Sequence, residues 1–202
     1  MIDNPFRERL AKRAAPFVKL FDALGLTPNQ VSCMGLAIGL AAALLVASGY
    51  FIAAIIVWWI SRLLDGLDGI YARASNQTSD FGAFLDIQFD MLAYCAMIAA
   101  LYWQFPQFAW QWLLIMLAYV LCISGALGLG SFENKQGLRD SGGRGLRLAV
   151  GLAEGGETGL AYTVFLLFPN FLALSTWIWI AVLIITILAR LLLARTELKG
   201  YS

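Results

Sequence analysis

Four aspartates lie close together in a chain that is otherwise strongly hydrophobic. Asp65 and Asp68 are three residues apart, and Asp86 and Asp90 are four residues apart. Residues at these spacings share one face of a helix, so each pair presents two carboxylates to the same side. The polar stretch 74–79 between the pairs is short, which makes the two helices antiparallel neighbours. The spacing therefore predicts that the four carboxylates converge on one point.

Carboxylates in this setting need compensating positive charge. Each costs about 2.5–3.5 kcal/mol to insert alone at the centre of a membrane helix, and like charges at short range repel. Arg62 and Arg73 could form structural salt bridges, but two bases are too few for four acids, so a pair of divalent cations is favoured. Oxygen ligands favour Mg²⁺ or Mn²⁺ over zinc. The sequence contains no histidine, so any acid–base chemistry falls to carboxylates.

The elements that position these acids are predicted to be membrane helices. Hydrophobic residues make up 60% of the chain, mean hydropathy is +0.74, and apolar runs close to the ~20 residues that span a bilayer recur along it. We predict an all-α integral membrane protein with one domain, 1–202, in which an amphipathic surface helix (1–26) precedes a six-span bundle (27–196). The six predicted spans are 28–48, 50–73, 80–103, 108–130, 146–168 and 171–195.

The start of the first span and the orientation of the bundle follow from particular residues. Thr27 is a candidate cap, Pro28 suits the first helical position, and Gln30 completes a capping box. The fourteen Lys and Arg residues fall in four places. These are the N-terminal helix, the region of Arg62 and Arg73, the stretch 135–147, and the end of the last span. By the positive-inside rule, both termini are predicted to be cytoplasmic, in the inner or plasma membrane of a prokaryote.

The depth of the acids follows from the same topology. Asp65 lies fifteen residues after Tyr50 at the predicted outer face, which is roughly 22 Å of helix. Asp65 and Asp68 are therefore expected on the order of 8 Å inside the inner edge of a ~30 Å hydrocarbon core. The acidic site is predicted to open to the cytoplasm.

The complete pattern of acids and small residues resembles a known family signature. The pattern is Asp65-x-x-Asp68-Gly69-x-x-Ala72-Arg73, eight residues, then Gly82-x-x-x-Asp86-x-x-x-Asp90. It is similar, at every fixed position, to the signature of the CDP-alcohol phosphotransferase (phosphatidyltransferase) family. Six spans, a surface helix and a Thr-Pro-Asn start to the first span also resemble this family. The resemblance implies a homodimeric membrane enzyme that uses two Mg²⁺ or Mn²⁺ ions.

The resemblance also implies roles for individual residues. Asp65, Asp68 and Asp86 are expected to bind the two ions, with Asp90 touching the second ion and acting as general base. The residues expected to contact the CDP-linked donor are Gly69, Ala72, Arg73, Thr78, Ser79 and Asn29, with Pro28 and Gln30 beside Asn29.

The implied reaction is a displacement in phospholipid biosynthesis. An alcohol hydroxyl attacks the phosphorus that carries the lipid or alcohol group, and CMP leaves. The expected donor is CDP-diacylglycerol, the expected acceptor is a small polar alcohol, and no nucleic-acid partner is expected. A soluble CDP-alcohol donor with a lipid acceptor is the alternative within the family. A divalent-cation transporter, or a membrane prenyltransferase with D-x-x-x-D repeats, is the alternative outside it, and the product distinguishes them.

The acceptor is sought among basic residues after the fourth span. Those in 135–147 either meet anionic lipid head groups, at roughly 1 kcal/mol each, or form a pocket for an acceptor such as glycerol phosphate or inositol phosphate. Glu154 and Glu157 share one face of the fifth span, and pairing with Arg190 is favoured over acceptor contact. The candidate acceptor residues are Lys135, Arg139, Arg147 and Arg190.

Overall fold

The computed structural model of the chain describes residues 14–135 and 155–198, which form helices and no strand. The α-helices of this part of the chain are α1 (Ala15–Ala23), α2 (Pro28–Ala47), α3 (Phe51–Ala74), α4 (Asp80–Gln104), α5 (Ala109–Lys135), α6 (Gly155–Leu167) and α7 (Leu172–Leu198). Short 3₁₀ turns at Pro106–Phe108 and Pro169–Phe171 precede α5 and α7. The all-α prediction is confirmed, and the predicted span boundaries agree with α2–α5 and α7 to within a few residues.

The predicted count of six membrane spans is not confirmed. Within the described residues, four segments are long and apolar enough to cross a bilayer: Pro28–Ala47, Asp80–Gln104, Pro106–Phe132 and Pro169–Thr196. Helix α3 has the length of a span, with 24 residues, but it carries the charged residues of the signature. Helix α6 has only 13 residues, and the first part of the predicted fifth span, 146–154, lies outside the described residues.

Apolar side chains face outward along the long helices. Ile56 of α3, Leu117 of α5 and Leu188 of α7 are all more than half exposed. Soluble proteins rarely leave large contiguous apolar surfaces in water, whereas a bilayer solvates them. Together with the apolar segments, these outward faces identify an integral membrane protein.

Helix α2 begins with the capping box that the sequence predicts. The Thr27 side chain accepts a hydrogen bond from the backbone N–H of Gln30, and the Gln30 side chain accepts one from the backbone N–H of Thr27. Pro28 occupies the first helical position, where its missing N–H is not needed. These contacts fix the residue at which α2 begins.

Helix α2 packs against both α3 and α4 and forms the centre of the N-terminal half. Its glycines allow close approach: a Cβ built on Gly39 would lie 2.9 Å from Ser61 Oγ of α3 and 3.5 Å from Ala93 Cβ of α4. Helix α6 packs against α3, and α5 packs against α7. Buried aromatic residues such as Trp58 and Tyr162 join these helices in one core.

Helix α1 packs against the C-terminal end of α3 through one aromatic pair and one hydroxyl. The rings of Phe21 and Tyr71 lie 5.4 Å apart. The Tyr71 hydroxyl lies 2.9 Å from Asp22 Oδ1 and 2.7 Å from the carbonyl oxygen of Leu26. Residues 1–13 of the predicted surface helix lie outside the described residues, and the placement of α1 on a membrane surface stays a prediction.

The link between α3 and α4 is a tight turn with its own caps. Asn76 has a φ of 55°, in the left-handed region that commonly ends helices, and the Gln77 N–H donates to the carbonyl of Ala72 at 2.8 Å. Ser79 then caps α4 by accepting from the Gly82 N–H at 3.0 Å. The turn places the last turns of α3 beside the first turns of α4, so the acids of the two helices meet.

Candidate active site

Three of the four aspartates form a compact cluster between α3 and α4. One carboxylate oxygen from each of Asp65, Asp68 and Asp86 lies within 4.8 Å of the other two. Asp68 is almost fully buried, at 5% exposure, whereas the side chain of Asp65 is 22% exposed. Three converging carboxylates form an all-oxygen site of the kind that Mg²⁺ and Mn²⁺ favour. This donor set fits a divalent cation, and we call these three residues the acidic triad.

Ser32 of α2 makes a contact to the triad that sequence reasoning missed. Its hydroxyl donates to Asp68 Oδ2 at 2.5 Å and also lies 3.2 Å from the carbonyl oxygen of Pro28. Hydrogen bonds of this kind orient a metal-ligating carboxylate. In the sequence, this contact is signalled by Ser32 itself, a polar residue one turn into the apolar helix that begins with the Thr27–Gln30 capping box.

Asp90 lies one turn beyond Asp86 on α4 and forms an ion pair. Arg62 Nη1 of α3 donates to Asp90 Oδ1 at 2.5 Å, and the same nitrogen lies 3.7 Å from Asp65 Oδ2. The salt-bridge interpretation of the acids, set aside on the sequence, therefore applies to Arg62 with Asp90 and, at longer range, with Asp65. The expected contact of Asp90 with a second cation stays a prediction.

The small residues of the signature lie where backbone and side chains approach closely. A Cβ on Gly69 would lie 3.5 Å from Nη1 of Arg73, so the guanidinium packs over Gly69. A Cβ on Gly82 would lie 3.1 Å from both Asn29 Oδ1 and Ser79 Oγ. The first turn of α2, the last turn of α3 and the first turn of α4 therefore meet beside the triad.

The other predicted donor contacts lie at the same end of the helices. Ala72 is half-buried in the last turns of α3, and Thr78 is exposed in the link before α4. Ser79 is exposed and serves as the cap of α4. The structure thus brings the predicted donor residues to one end of α2, α3 and α4.

The predicted acceptor residues are mostly beyond the described part of the chain. Arg139, Arg147 and the side chain of Lys135 lie outside it, as does Glu154. Arg190 of α7 is buried, and its Nη1 donates to the carbonyl oxygen of Cys122 in the interface between α5 and α7. Glu157 lies in the first turn of α6 and lines a groove with Trp179 and Val182 of α7. The pairing of Glu157 with Arg190 stays a prediction.

Comparison with known proteins decides the family. The CDP-alcohol phosphatidyltransferase family model matches residues 25–141, which is more than half of the chain and includes every residue of the acidic pattern. The chain belongs to the CDP-alcohol phosphatidyltransferase family. It is an enzyme that transfers a substituted phosphate from a CDP-linked donor to an alcohol, releases CMP and depends on divalent cations. The sequence-based recognition is confirmed.

Two relatives of this phosphatidyltransferase match it over most of its length. It is 32% identical over 205 residues to the inner membrane protein YnjF of Escherichia coli strain K12, covering 99% of this chain and 98% of that protein. It is 32% identical over 154 residues to a phosphatidylinositol phosphate synthase of Mycobacteroides abscessus, covering 73% of this chain and 70% of that protein.

Solved structures share the fold of this phosphatidyltransferase. The Mycobacterium tuberculosis phosphatidylinositol phosphate synthase with CDP-DAG bound matches with a TM-score of 0.64 and 26% identity, over 88% of this chain and 91% of that chain. The same synthase in complex with manganese and citrate matches with a TM-score of 0.60 and 27% identity, over 88% of this chain and 87% of that chain.

Proposed function

We propose that this phosphatidyltransferase uses CDP-diacylglycerol as donor and a small phosphorylated alcohol as acceptor. The donor assignment is supported by the synthase of M. tuberculosis, whose structure holds CDP-DAG. The acceptor assignment is supported by relatives named phosphatidylinositol phosphate synthase. The transfer chemistry itself is supported by the cluster of Asp65, Asp68 and Asp86 with Asp90 one turn further along α4, because the reaction needs both a cation site and a proton acceptor.

The triad residues would hold the divalent cations, and Asp90 would also touch the second ion. Asp65 and Asp86 offer partly exposed carboxylates, and the Ser32 hydroxyl orients the buried carboxylate of Asp68. When bound, divalent cations neutralise the charge that develops on the diphosphate as CMP departs. Carboxylates held on two rigid helices keep a fixed geometry for this purpose.

Asp90 would take the proton of the attacking hydroxyl. The alcohol oxygen forms a bond to the lipid-bearing phosphorus, the bond from that phosphorus to the bridging oxygen of CMP breaks, and the hydroxyl proton passes to the carboxylate of Asp90. The Asp90 side chain is 27% exposed, so a hydroxyl can reach it from the open side of the site. A positioned general base is typically worth ~10²–10⁴ in rate.

The donor's cytidine and diphosphate would lie at the meeting point of α2, α3 and α4. Arg73, packed over Gly69, supplies a guanidinium for phosphate oxygens. Asn29 and Ser79 supply polar atoms on either side of Gly82, where a larger residue would displace them. Ala72 and Thr78 complete this end of the site.

The acceptor's phosphate would be bound by basic residues nearer the C-terminus. We assign this role to Lys135, Arg139 and Arg147, with Arg190 as the deeper candidate. Both termini and the site would face the cytoplasm, and the protein would be a homodimer, as the family resemblance implies.

The test is release of CMP by purified protein in detergent. CDP-diacylglycerol is incubated with inositol phosphate, glycerol phosphate, inositol or glycerol, and a parallel reaction uses a soluble CDP-alcohol with diacylglycerol. We expect CMP release from CDP-diacylglycerol that requires a phosphorylated alcohol, disappears in excess EDTA and returns with Mg²⁺ or Mn²⁺. Activity only with the soluble donor, or equal activity with unphosphorylated alcohols, would overturn the substrate assignment.

A further inference from the structure

Arg62 is a cation within the active site that lies outside the family signature. It is one turn before Asp65 on α3, and its guanidinium reaches across to α4. Nη1 donates to Asp90 Oδ1 at 2.5 Å and lies 3.7 Å from Asp65 Oδ2. The closer partner is therefore the proposed base, and Asp65 of the triad lies beyond normal hydrogen-bond distance.

The guanidinium of Arg62 is held by its surroundings on several sides. Its Cζ lies 4.9 Å from the ring centre of Trp58 and 5.4 Å from that of Tyr94, distances typical of cation–π contacts. Nη2 donates to Ser61 Oγ at 3.2 Å, and Ser61 in turn donates to the carbonyl of Gly35 on α2 at 2.7 Å. A long, flexible side chain is thereby fixed in one position.

The exposure of the two partners is unequal. The side chain of Arg62 is 9% exposed, whereas that of Asp90 is 27% exposed. Here the cation lies behind the carboxylate, and the carboxylate remains accessible from the open side of the site. A carboxylate has two oxygens, so a bond from Arg62 to Oδ1 is compatible with proton transfer to Oδ2.

We propose that Arg62 is a positioning residue for the transfer reaction, which fixes Asp90 relative to the triad through its stacked guanidinium. The inference rests on the proposed role of Asp90 as general base. Arg62 holds Oδ1 of Asp90 and so aims the other oxygen toward the incoming hydroxyl. Fixed partners of this kind typically contribute 10- to 100-fold to activity.

The test is a double-mutant cycle on turnover. Arg62→Gln should lower kcat by about 10- to 100-fold with little change in the KM for the donor. Arg62→Lys keeps the charge and should recover part of that loss, but not all, because an ammonium lacks the planar fork that pairs with a carboxylate. Asp90→Asn should lower kcat by about 10²- to 10⁴-fold. If Arg62 acts through Asp90, adding Arg62→Gln to Asp90→Asn should cost less than about threefold more.

Mn²⁺ binding, measured by electron paramagnetic resonance, provides a readout that does not depend on turnover. Arg62→Gln should retain Mn²⁺ as tightly as the wild type, because the triad is intact and a nearby positive charge has been removed. Retained Mn²⁺ also shows that the variant is folded. Arg195→Gln removes an exposed arginine near the end of α7 and is the matched control, with unchanged kcat and Mn²⁺ binding.

Three results would overturn the positioning role. Independent losses in the double variant would show that Arg62 does not act through Asp90. Loss of Mn²⁺ together with activity in Arg62→Gln, or a rise only in the acceptor KM, would assign Arg62 to the cation site or to the acceptor. Wild-type protein that releases no CMP with any substrate pair would instead refute the proposed function, and this outcome is distinct from those three.

Discussion

Gly39 of α2 lies where three helices meet, and the structure leaves no room there for a methyl group. A Cβ at this position would lie 2.9 Å from Ser61 Oγ and 3.5 Å from Ala93 Cβ. Ser61 is fully buried, and its hydroxyl is held by its bond to the carbonyl of Gly35 and by the bond from Arg62. In Gly39→Ala, either Ser61 rotates and loses these bonds, or α2 moves away from α3.

The magnitude follows from opposing contributions. Overpacking of a close-packed interior costs about 1–3 kcal/mol, and loss of one hydrogen bond costs about 0.5–1.5 kcal/mol. Replacing a helical glycine by alanine returns about 0.8–1 kcal/mol. Because only one of the two responses is needed, and each costs about 1–3 kcal/mol when both Ser61 bonds are counted, we expect Gly39→Ala to be destabilised by about 1 kcal/mol, a fall in Tm of about 2–4 °C for a chain of this size. Turnover should also fall, because Ser61 contacts Arg62.

The assay is thermal unfolding in detergent, with Gly35→Ala as the matched control. Gly35 lies one turn earlier on the same face of α2, but a Cβ there meets its nearest neighbours at 3.6 Å, which is ordinary contact. Gly35→Ala should therefore be as stable as the wild type or slightly more stable. Adding Ser61→Ala to Gly39→Ala should restore part of the lost stability, since the clashing oxygen is removed. Equal Tm values for Gly39→Ala and Gly35→Ala would refute the packing argument.

Three further predictions concern the site. Asp65→Asn should weaken Mn²⁺ binding and turnover together, whereas Asp90→Asn should lower turnover by ~10²–10⁴ with donor binding retained. The control is Asp80→Asn, which changes an exposed acid in the first turn of α4. Near-normal turnover of Asp90→Asn would refute its role as base. Ser32→Ala should raise the Mn²⁺ dissociation constant by about 10- to 100-fold, and Ser48→Ala, which loses only a bond to its own helix, should not; equal affinities would contradict the orienting role. Alanine at the basic residues Lys135, Arg139 and Arg147 should raise the acceptor KM and leave the donor KM nearly unchanged, and equal effects on both substrates would favour contact with lipid head groups.

Much of the helical framework could be predicted because its determinants are local. The start of α2 depends on Thr27, Pro28 and Gln30, which contact one another within a single turn. The end of α3 and the start of α4 depend on the short polar link with its left-handed Asn76 and capping Ser79. Apolar length then gave the remaining boundaries. The number of spans could not be settled in the same way, because α3 mixes span length with site charges.

The clustering of the acids was predictable from helix periodicity, but their partners were not. Spacings of three and four residues put each pair on one face, and the short link makes the faces meet. Which acid the Arg62 side chain reaches depends on the separation of α3 and α4 and on rings from both helices. Ser32 reaches Asp68 only because α2 is rotated to face α3, and that rotation is set by close glycine contacts rather than by any local signal.

The pairing of Arg62 with Asp90 also has a consequence for the charge of the whole site. The four carboxylates together with the guanidinium groups of Arg62 and Arg73 carry a formal charge of −2 at this site. In the proposed mechanism Asp90 both touches a cation and takes the proton, so the orientation of its two oxygens matters as much as their charge. The guanidinium of Arg62 can provide that orientation independently of the substrate, because its position is set by Trp58 and Tyr94. We therefore expect the packing of α3 against α4 to determine how well Asp90 is aligned with the triad.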